Sequence, residues 1–477
     1  MIIGRKEEQK KLLQTLQEDE SQFLAIYGRR RVGKTFLIRE TFKNSFAFQH
    51  SGLSNATKNE QIKEFCSSLK RYGLKNFKPA NDWFDAFNLL IDLLESKPEG
   101  KKVVFIDELP WLDTHKSRFL VALEHFWNGW ASARNDIVLI VCGSATSWII
   151  KKVIRNRGGL HNRVNRQISL KPFTLAECKQ YAEHRQLPLS EKDILEAYMI
   201  FGGIPFYWSF LQRDESLPQS IDRMFFAEQA ELSDEFSALY ESLFRNAHNY
   251  ISIVKALSTI KAGMTRAQLL TATKMSDNIT FKTAIEELEE CGFIRRYQAF
   301  GKKKKDFKIQ LIDNFTLFYY QFMHNNRQQD DHFWEHIKEK SAHSAWAGIA
   351  FERLCLWHVP QIKKALGISG IQTSVYSWTF TPNHDEVDAG LKGGQIDLII
   401  DRHDGIVNLC EMKFYDSPVS VTAEYANHIR LRNAIFKDRT NCSKGVINTL
   451  VTTFGLVPGR NSDVFAKTIT MENLLEQ

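Results

Sequence analysis

Gly28-Arg29-Arg30-Arg31-Val32-Gly33-Lys34-Thr35, directly after the apolar run at residues 23–27, is the stretch on which the fold turns. An apolar pentapeptide followed by a glycine-bounded octapeptide predicts a buried strand, a phosphate-binding loop, and a helix beginning near Lys34. Gly28 and Gly33 let the backbone N–H groups from Arg29 through Val32 ring phosphate oxygens, and the helix aims the positive end of its dipole at the same anions. Lys34 is placed to reach the β and γ phosphates, and the Thr35 hydroxyl to hold magnesium. The implied ligand is ATP or GTP.

Working outward, residues 103–108 read Val-Val-Phe-Ile-Asp-Glu, a second apolar strand ending in two carboxylates. Asp107 can contact the magnesium through water, and Glu108 can polarise the water that attacks the γ-phosphate. A third buried strand at 137–142 runs into Gly143-Ser144, and a basic stretch at 155–166 leads to a fourth strand at 167–170. Within that stretch Arg163 is the candidate finger, from the same chain or a neighbour. Strands alternating with helices imply a parallel sheet covered on both faces, with ligand at the carboxyl ends.

With Ile3-Gly4-Arg5, Glu8, Leu170, Pro172-Phe173 and Phe201-Gly202-Gly203-Ile204-Pro205, these segments resemble the archaeal-type ATPase family of the AAA superclass. The resemblance covers residues 1–240, with a helical lid at about 172–240. It implies ATP with Mg2+ as cofactors and a γ-phosphate sensor at Ser144; a homo-oligomer is a candidate assembly, with dimer, ring and monomer all left open by the sequence. Where the family usually has Leu-Tyr-Gly-Arg, this chain has Leu160-His161-Asn162-Arg163. Gly202, Gly203 and Pro205 read as a turn between helices.

The 477 residues are too many for one core and predict about three domains. A charged fraction of 25% against 43% hydrophobic argues for folded rather than disordered chain, and a net charge of +7 permits a nucleic-acid partner. Seven scattered cysteines without a C-x-x-C pair indicate neither a disulfide framework nor zinc, which points to the cytosol (a cytoplasmic protein). The charged N-terminus does not read as a signal peptide, and the apolar runs are too short to cross a bilayer, so no membrane partner is expected.

From 241 to 325 the pattern becomes three helices and a basic hairpin, a winged helix-turn-helix. Its parts are an apolar-periodic helix at 250–257, a capping-box start at Thr265 and Gln268, a third helix after Ser276-Asp277, and strands at 293–297 and 307–311. Lys302 to Lys305 at the hairpin tip suit contact with the DNA backbone, extended by Lys274, Lys282, Arg295 and Arg296. The aromatic run at 315–322 reads as packing.

Residues 335–477 contain a second constellation. A strand holding Asp397 turns at Arg402-His-Asp404-Gly405 into a strand holding Glu411 and Lys413, which share a face by the period of two. Upstream, Glu352 interrupts an apolar helix, where a buried carboxylate needs a cation; Arg353 next door offers a purely structural pairing. Glu352, Asp397 and Glu411-x-Lys413 resemble the PD-(D/E)XK nuclease superfamily. The resemblance implies Mg2+ or Mn2+ on Glu352, Asp397 and Glu411, with Lys413 as the catalytic cation; Asp401 and Asp416 compete for the acidic role. The expected fold class is therefore α/β multidomain: a P-loop parallel-sheet ATPase, a winged helix-turn-helix, and a C-terminal restriction-endonuclease-like α/β domain. The expected function couples ATP hydrolysis to DNA binding and phosphodiester cleavage. Its alternatives are a regulatory ATPase switch with an inactive nuclease-like domain, and a protein remodeller.

Overall fold

The computed structural model describes residues 1–144, 146–155, 158–244, 246–302, 307–324, 330–337, 340–382 and 393–476. They form two compact units, Met1–Pro172 and Phe173–Gln477.

In the first unit, strands β1 (Gln22–Tyr27), β2 (Phe48–Ser51), β3 (Lys102–Asp107), β4 (Ile137–Gly143) and β5 (Arg166–Ser169) are ordered β2-β3-β4-β1-β5. Every pairing is parallel. Each residue of β3 and β4 is buried, as strands covered on both faces require. The unit's helices include Lys34–Thr41, Lys58–Arg71, Trp83–Glu95 and Phe119–Gly129. Their aromatic faces fill one core, in which Phe23 lies 4.9 Å from Trp127 and Trp83 lies 4.8 Å from Phe119, centroid to centroid. Strand β2 is the element the sequence hides, because Phe-Gln-His-Ser looks like a polar loop. His50 is nonetheless buried as a neutral imidazole: burial, and then Arg71, push its pKa down to about 3, and its Nδ1 lies 2.9 Å from Ser68 Oγ.

The second unit opens with helices Leu175–Arg185 and Glu191–Phe201, each begun by a capping box, Thr174 with Glu177 and Ser190 with Asp193. The segment expected to form a lid, about 172–240, thus lies almost wholly in this unit rather than with the parallel sheet. Gly202 ends the second of these helices at φ 65° and Pro205 starts the next short one, which is the turn role expected of them. The Leu175 N–H donates to His358 Nε2 at 2.9 Å, while His358 Nδ1 donates to the Leu354 carbonyl at 2.8 Å. Burial lowers that histidine's pKa to about 4, so a neutral ring ties the Leu175–Arg185 helix to the helix Ser341–Trp357.

Helices Ala247–Ser258, Arg266–Thr273 and Ile279–Glu290 follow, then the antiparallel pair β6 (Ile294–Gln298) and β7 (Phe307–Leu311). The capping box at Thr265 and Gln268 is present, and Asn278, two residues past Ser276, caps the third helix. Met264 adds a short antiparallel bridge to Ile309. Lys303, Lys304, Lys305 and Asp306 lie outside the described residues.

A mixed sheet completes the unit, with order β12-β11-β10-β9-β8 over β8 (Thr373–Phe380), β9 (Gly394–Arg402), β10 (Ile406–Lys413), β11 (Gly445–Thr452) and β12 (Lys467–Ile469). Strands β8, β9 and β10 pair antiparallel, whereas β10, β11 and β12 pair parallel. The parallel step needs a crossover, which the helix Ala423–Thr440 supplies. Just past β6, Ala299 bridges to Ser377 and the Phe300 N–H donates to the Ser377 carbonyl at 2.8 Å, so the hairpin lies along β8. No helix among the described residues is long and apolar enough to cross a membrane.

Gly28 joins fold and site: at φ 150°, a β-carbon there would fall 2.2 Å from the Leu170 carbonyl oxygen. Backbone meets backbone, so no side-chain rotation can relieve the clash. Gly28→Ala should therefore lower stability by about 1–3 kcal/mol, read as a lower melting temperature of the nucleotide-free protein, with circular dichroism checking that the fold survives.

Candidate functional sites

The carboxyl ends of β1, β3 and β4 converge because the strands are parallel and adjacent in the order β3-β4-β1. After β1 the chain turns through Gly28 (φ 150°), Arg31 (φ 72°) and Gly33 (φ 88°) into the helix Lys34–Thr41. Arg29 and Val32 are buried and Arg30 is half-buried. Around Gly33 a β-carbon would meet nothing within 4 Å, so the loop is open at the helix N-terminus. Lys34 is buried, and its ammonium donates to the carbonyls of Gly28 at 2.9 Å and Arg29 at 3.0 Å. Two neutral acceptors satisfy its hydrogen bonds without cancelling its charge, which stays available to an anion.

Thr35 Oγ1 donates to Asp107 Oδ2 at 2.7 Å, bringing together the two oxygen groups expected to serve magnesium. Asp107 Oδ1 accepts from the Glu108 N–H at 2.9 Å and from Cys142 Sγ at 2.5 Å. Burial first, and then the neighbouring Asp107, push the Cys142 thiol well above its usual range, keeping it a proton donor. Cys142 is a contributor that sequence reasoning passed over; its place at the end of a buried strand beside the Asp107 strand was the available signal. Glu108 stands in the left-handed region at φ 46°, and its Oε2 accepts from Ser144 N at 3.2 Å and Ser144 Oγ at 3.0 Å. Gly143 is needed there, since a β-carbon would lie 2.6 Å from Pro110 Cδ. A glycine-bounded loop at a helix N-terminus, a lysine held on carbonyls and paired hard oxygen ligands fit a nucleoside triphosphate with Mg2+. Arg163 lies exposed in the turn before β5.

In the second unit, Cys410 and Leu398 are the last paired positions of β10 and β9, so Glu411 and Asp397 are the next residue on each strand. Asp397 Oδ1 accepts from the Gln395 side chain. Glu352, on the helix Ser341–Trp357, shares a cation with Asp397: Lys261 Nζ lies 2.5 Å from Glu352 Oε1 and 3.7 Å from Asp397 Oδ2. Burial, then Asp397, raise the Glu352 pKa to about 7 against the pull of Lys261. Arg353 does not pair with Glu352 in the way the structural alternative required; its Nη2 donates to the Lys261 carbonyl at 2.7 Å. Glu411 is gripped by buried Arg432 and by Lys413 at 3.2 Å. Burial would raise the Glu411 pKa, but those two cations outweigh it and hold the pKa low. The competing carboxylates go elsewhere, Asp401 to Lys444 at 2.5 Å and Asp416 to Lys192 at 2.6 Å. Glu352, Asp397 and Glu411 are oxygen donors suited to Mg2+ or Mn2+, and Glu352 Oε2 is buried with no hydrogen-bond partner. Lys261 and Arg432 were not foreseen, because their partners lie far away in sequence.

Among the described residues of the hairpin, two of the arginines are engaged within the protein. Arg295 donates to Gln310 at 2.7 Å and lies 4.7 Å from the Tyr297 ring, and Arg296 pairs with Glu289 at 2.6 Å. Lys274, Lys282 and Lys302 are exposed.

Among the described residues, the group with common metal-ligand spacing is Asp222, His332 and Glu335, whose ligand atoms lie within 4.8 Å of one another. Asp222 already has a structural task, accepting from the N–H groups of Trp334 at 2.6 Å and Glu335 at 3.3 Å at the start of the helix Phe333–Ile337.

Comparison with known proteins fits the first site. The family described as "ATPase domain predominantly from Archaea" matches residues 3–209. The uncharacterized protein MJECL04 of Methanocaldococcus jannaschii is 24% identical over 381 residues, which span 76% of this chain and 78% of that protein. The Walker-type ATPase PABY2304 of Pyrococcus abyssi shares the fold, with a TM-score of 0.51 at 19% identity over 67% of this chain and 96% of that one. The ORC2 protein of Aeropyrum pernix, solved in ADPNP–ADP complexes, aligns with a TM-score of 0.41 at 15% identity over 67% and 93%. Over residues 3–209 the chain is therefore similar to an archaeal-type ATPase domain.

Lys34→Ala should weaken nucleotide binding by about two orders of magnitude, the worth of a charge-assisted contact to phosphate. Glu108→Gln should keep binding and lose about 10²–10⁴ in turnover. Titration calorimetry and a phosphate-release assay separate the two effects.

Proposed function

We propose that this protein binds and hydrolyses ATP at the phosphate loop and couples nucleotide state to DNA binding and to metal-dependent phosphodiester cleavage by its C-terminal domain. Magnesium held by Thr35, and through water by Asp107, would neutralise charge on the β and γ phosphate oxygens. Lys34 binds the same oxygens directly. Glu108 orients the attacking water and takes its proton, and Ser144 positions the carboxylate. Its hydroxyl proton can serve either Glu108 or a phosphate oxygen, which suits it to report an incoming γ-phosphate. Arg163, exposed before β5, is the candidate finger, reaching the site of a neighbouring copy more readily than a buried arginine could.

The three helices and hairpin over 247–311 support a winged helix-turn-helix reading, with Met264 bridging to the hairpin as a third short strand. Exposed Lys274, Lys282 and Lys302 would contact the DNA backbone, Lys303 to Lys305 adding to them. The observation that carries the cleavage reading is the meeting of Glu352 from a helix with Asp397 from β9 at one ammonium group, beside the strand position of Glu411 and Lys413. Two carboxylates and a nearby cation are what a metal-assisted phosphodiesterase uses to bind Mg2+ or Mn2+ and stabilise charge on the phosphate.

A second reading, a regulatory ATPase with an inactive nuclease-like domain, is favoured by the cations already on every one of these carboxylates: Lys261, Arg432 and Lys413. Incubation with single-stranded, duplex and branched DNA and with RNA, with either metal and with or without ATP, decides between them. Under the cleavage reading Asp397→Ala and Glu411→Ala abolish cutting while ATP hydrolysis stays within about twofold, as for sites in separately folded cores. No cutting under any condition, either by the parent protein or by Lys261→Met, which frees the two carboxylates of their shared cation, leaves the regulatory switch.

A further inference from the structure

Lys261 belongs to the turn after the helix Ala247–Ser258, yet its side chain ends among carboxylates of the C-terminal domain. Its ammonium is 2.5 Å from Glu352 Oε1 and 3.7 Å from Asp397 Oδ2, between groups contributed by two different elements. The backbone that carries it is fixed. The Lys261 carbonyl accepts from Arg353 Nη2 at 2.7 Å and Gln310 Nε2 at 2.8 Å, and the Ala262 carbonyl accepts from the Tyr297 hydroxyl. Gly263, at φ 69°, approaches β7 so closely that a β-carbon would lie 2.3 Å from the Ile309 carbonyl oxygen. Four contacts thus aim one lysine from the three-helix module into the acidic pair. Its side chain is still 40% exposed, while those of Glu352 and Asp397 are 6% and 14% exposed. A cation that remains partly in solvent can withdraw at small cost, whereas the buried acids it leaves would need a replacement cation.

We infer that Lys261 is an autoinhibitory plug: the module over 247–311 lodges its ammonium where a divalent metal would bridge Glu352 and Asp397, and metal enters when that module shifts. The inference rests on the metal-dependent reading of the C-terminal domain. Two observations fit a displaced metal. Glu352 Oε2 is buried with no hydrogen-bond partner, a spare ligand atom beside the plug. Among the described residues, Glu352, Asp397 and Glu411 do not reach common metal-ligand spacing, as expected while separate cations hold them.

The test is Mn2+ binding to the full chain without nucleotide, measured by titration calorimetry and by the loss of the free-ion paramagnetic resonance signal. Lys261→Met should bind one Mn2+ at least tenfold tighter than the parent, and Lys261→Met with Asp397→Asn should lose the gain. Lys261→Arg, which keeps a cation at the plug, should bind like the parent. Lys261→Gln serves if the methionine variant melts too low to titrate. Equal Mn2+ affinity in the parent and both neutral variants overturns the plug, even if the parent cleaves nucleic acid. Tighter binding in the neutral variants, with no cleavage of any substrate, keeps the plug and removes the nuclease reading.

Discussion

Parallel pairing of β1 between β4 and β5 is the constraint on which the nucleotide site depends. Because the strands run the same way, β1, β3 and β4 deliver Gly28, Asp107 and Ser144 to a single edge without long loops. Adjacency then sets the chemistry. With β4 between β1 and β3, Cys142 and Ser144 become immediate neighbours of Asp107 and Glu108, and each supplies a hydrogen bond. Thr35 reaches across to Asp107 from the first turn of the helix that begins directly after Gly33. The backbone is drawn tight at the same place, since Gly28, Gly52 and Gly143 each stand where a β-carbon would meet a neighbour at 2.6 Å or less.

Legibility in the sequence followed the range of the interactions. The loop, the Asp107-Glu108 strand end and the Thr265 capping box are written in consecutive residues, so local chemistry reveals them. Strand β2 was illegible because its burial is a tertiary effect: His50 is neutral inside the core only because Phe65 and Ser68 of the helix Lys58–Arg71 enclose it. Aspartate 397 and Glu411 were legible as a hairpin through the period of two. Their partners were not, since Lys261 and Arg432 come from a turn and a helix whose distance to the strands no pattern encodes. Composition misled about two arginines of the hairpin, which it counted toward an open basic surface. Arg295 and Arg296 spend their charge on Gln310, Tyr297 and Glu289.

The two sites treat charge in opposite ways. At the phosphate loop Lys34 rests on carbonyls, so an arriving anion finds a positive group without having to break an ion pair. At the C-terminal carboxylates every negative group already has a cation, and burial makes that compensation necessary. Removing one partner from such a pair leaves a buried charge and costs about 3–5 kcal/mol. The first site is therefore poised for its ligand, whereas the carboxylates of the second already have their charges met.

The hairpin lying along β8 has a further meaning for how the chain can be divided. Strand β8 is the last in its sheet, and its backbone would otherwise present unpaired donors and acceptors along one margin. The contact of Ala299 and Phe300 with Ser377 covers part of that margin, and Phe300 also enters the core beside Tyr376 and Phe436. Exposed strand margins recruit strands from other molecules. A fragment cut before residue 335 would lose this cover and gain a sticky, self-associating surface, so the C-terminal domain is safest from aggregation while joined to the module that precedes it.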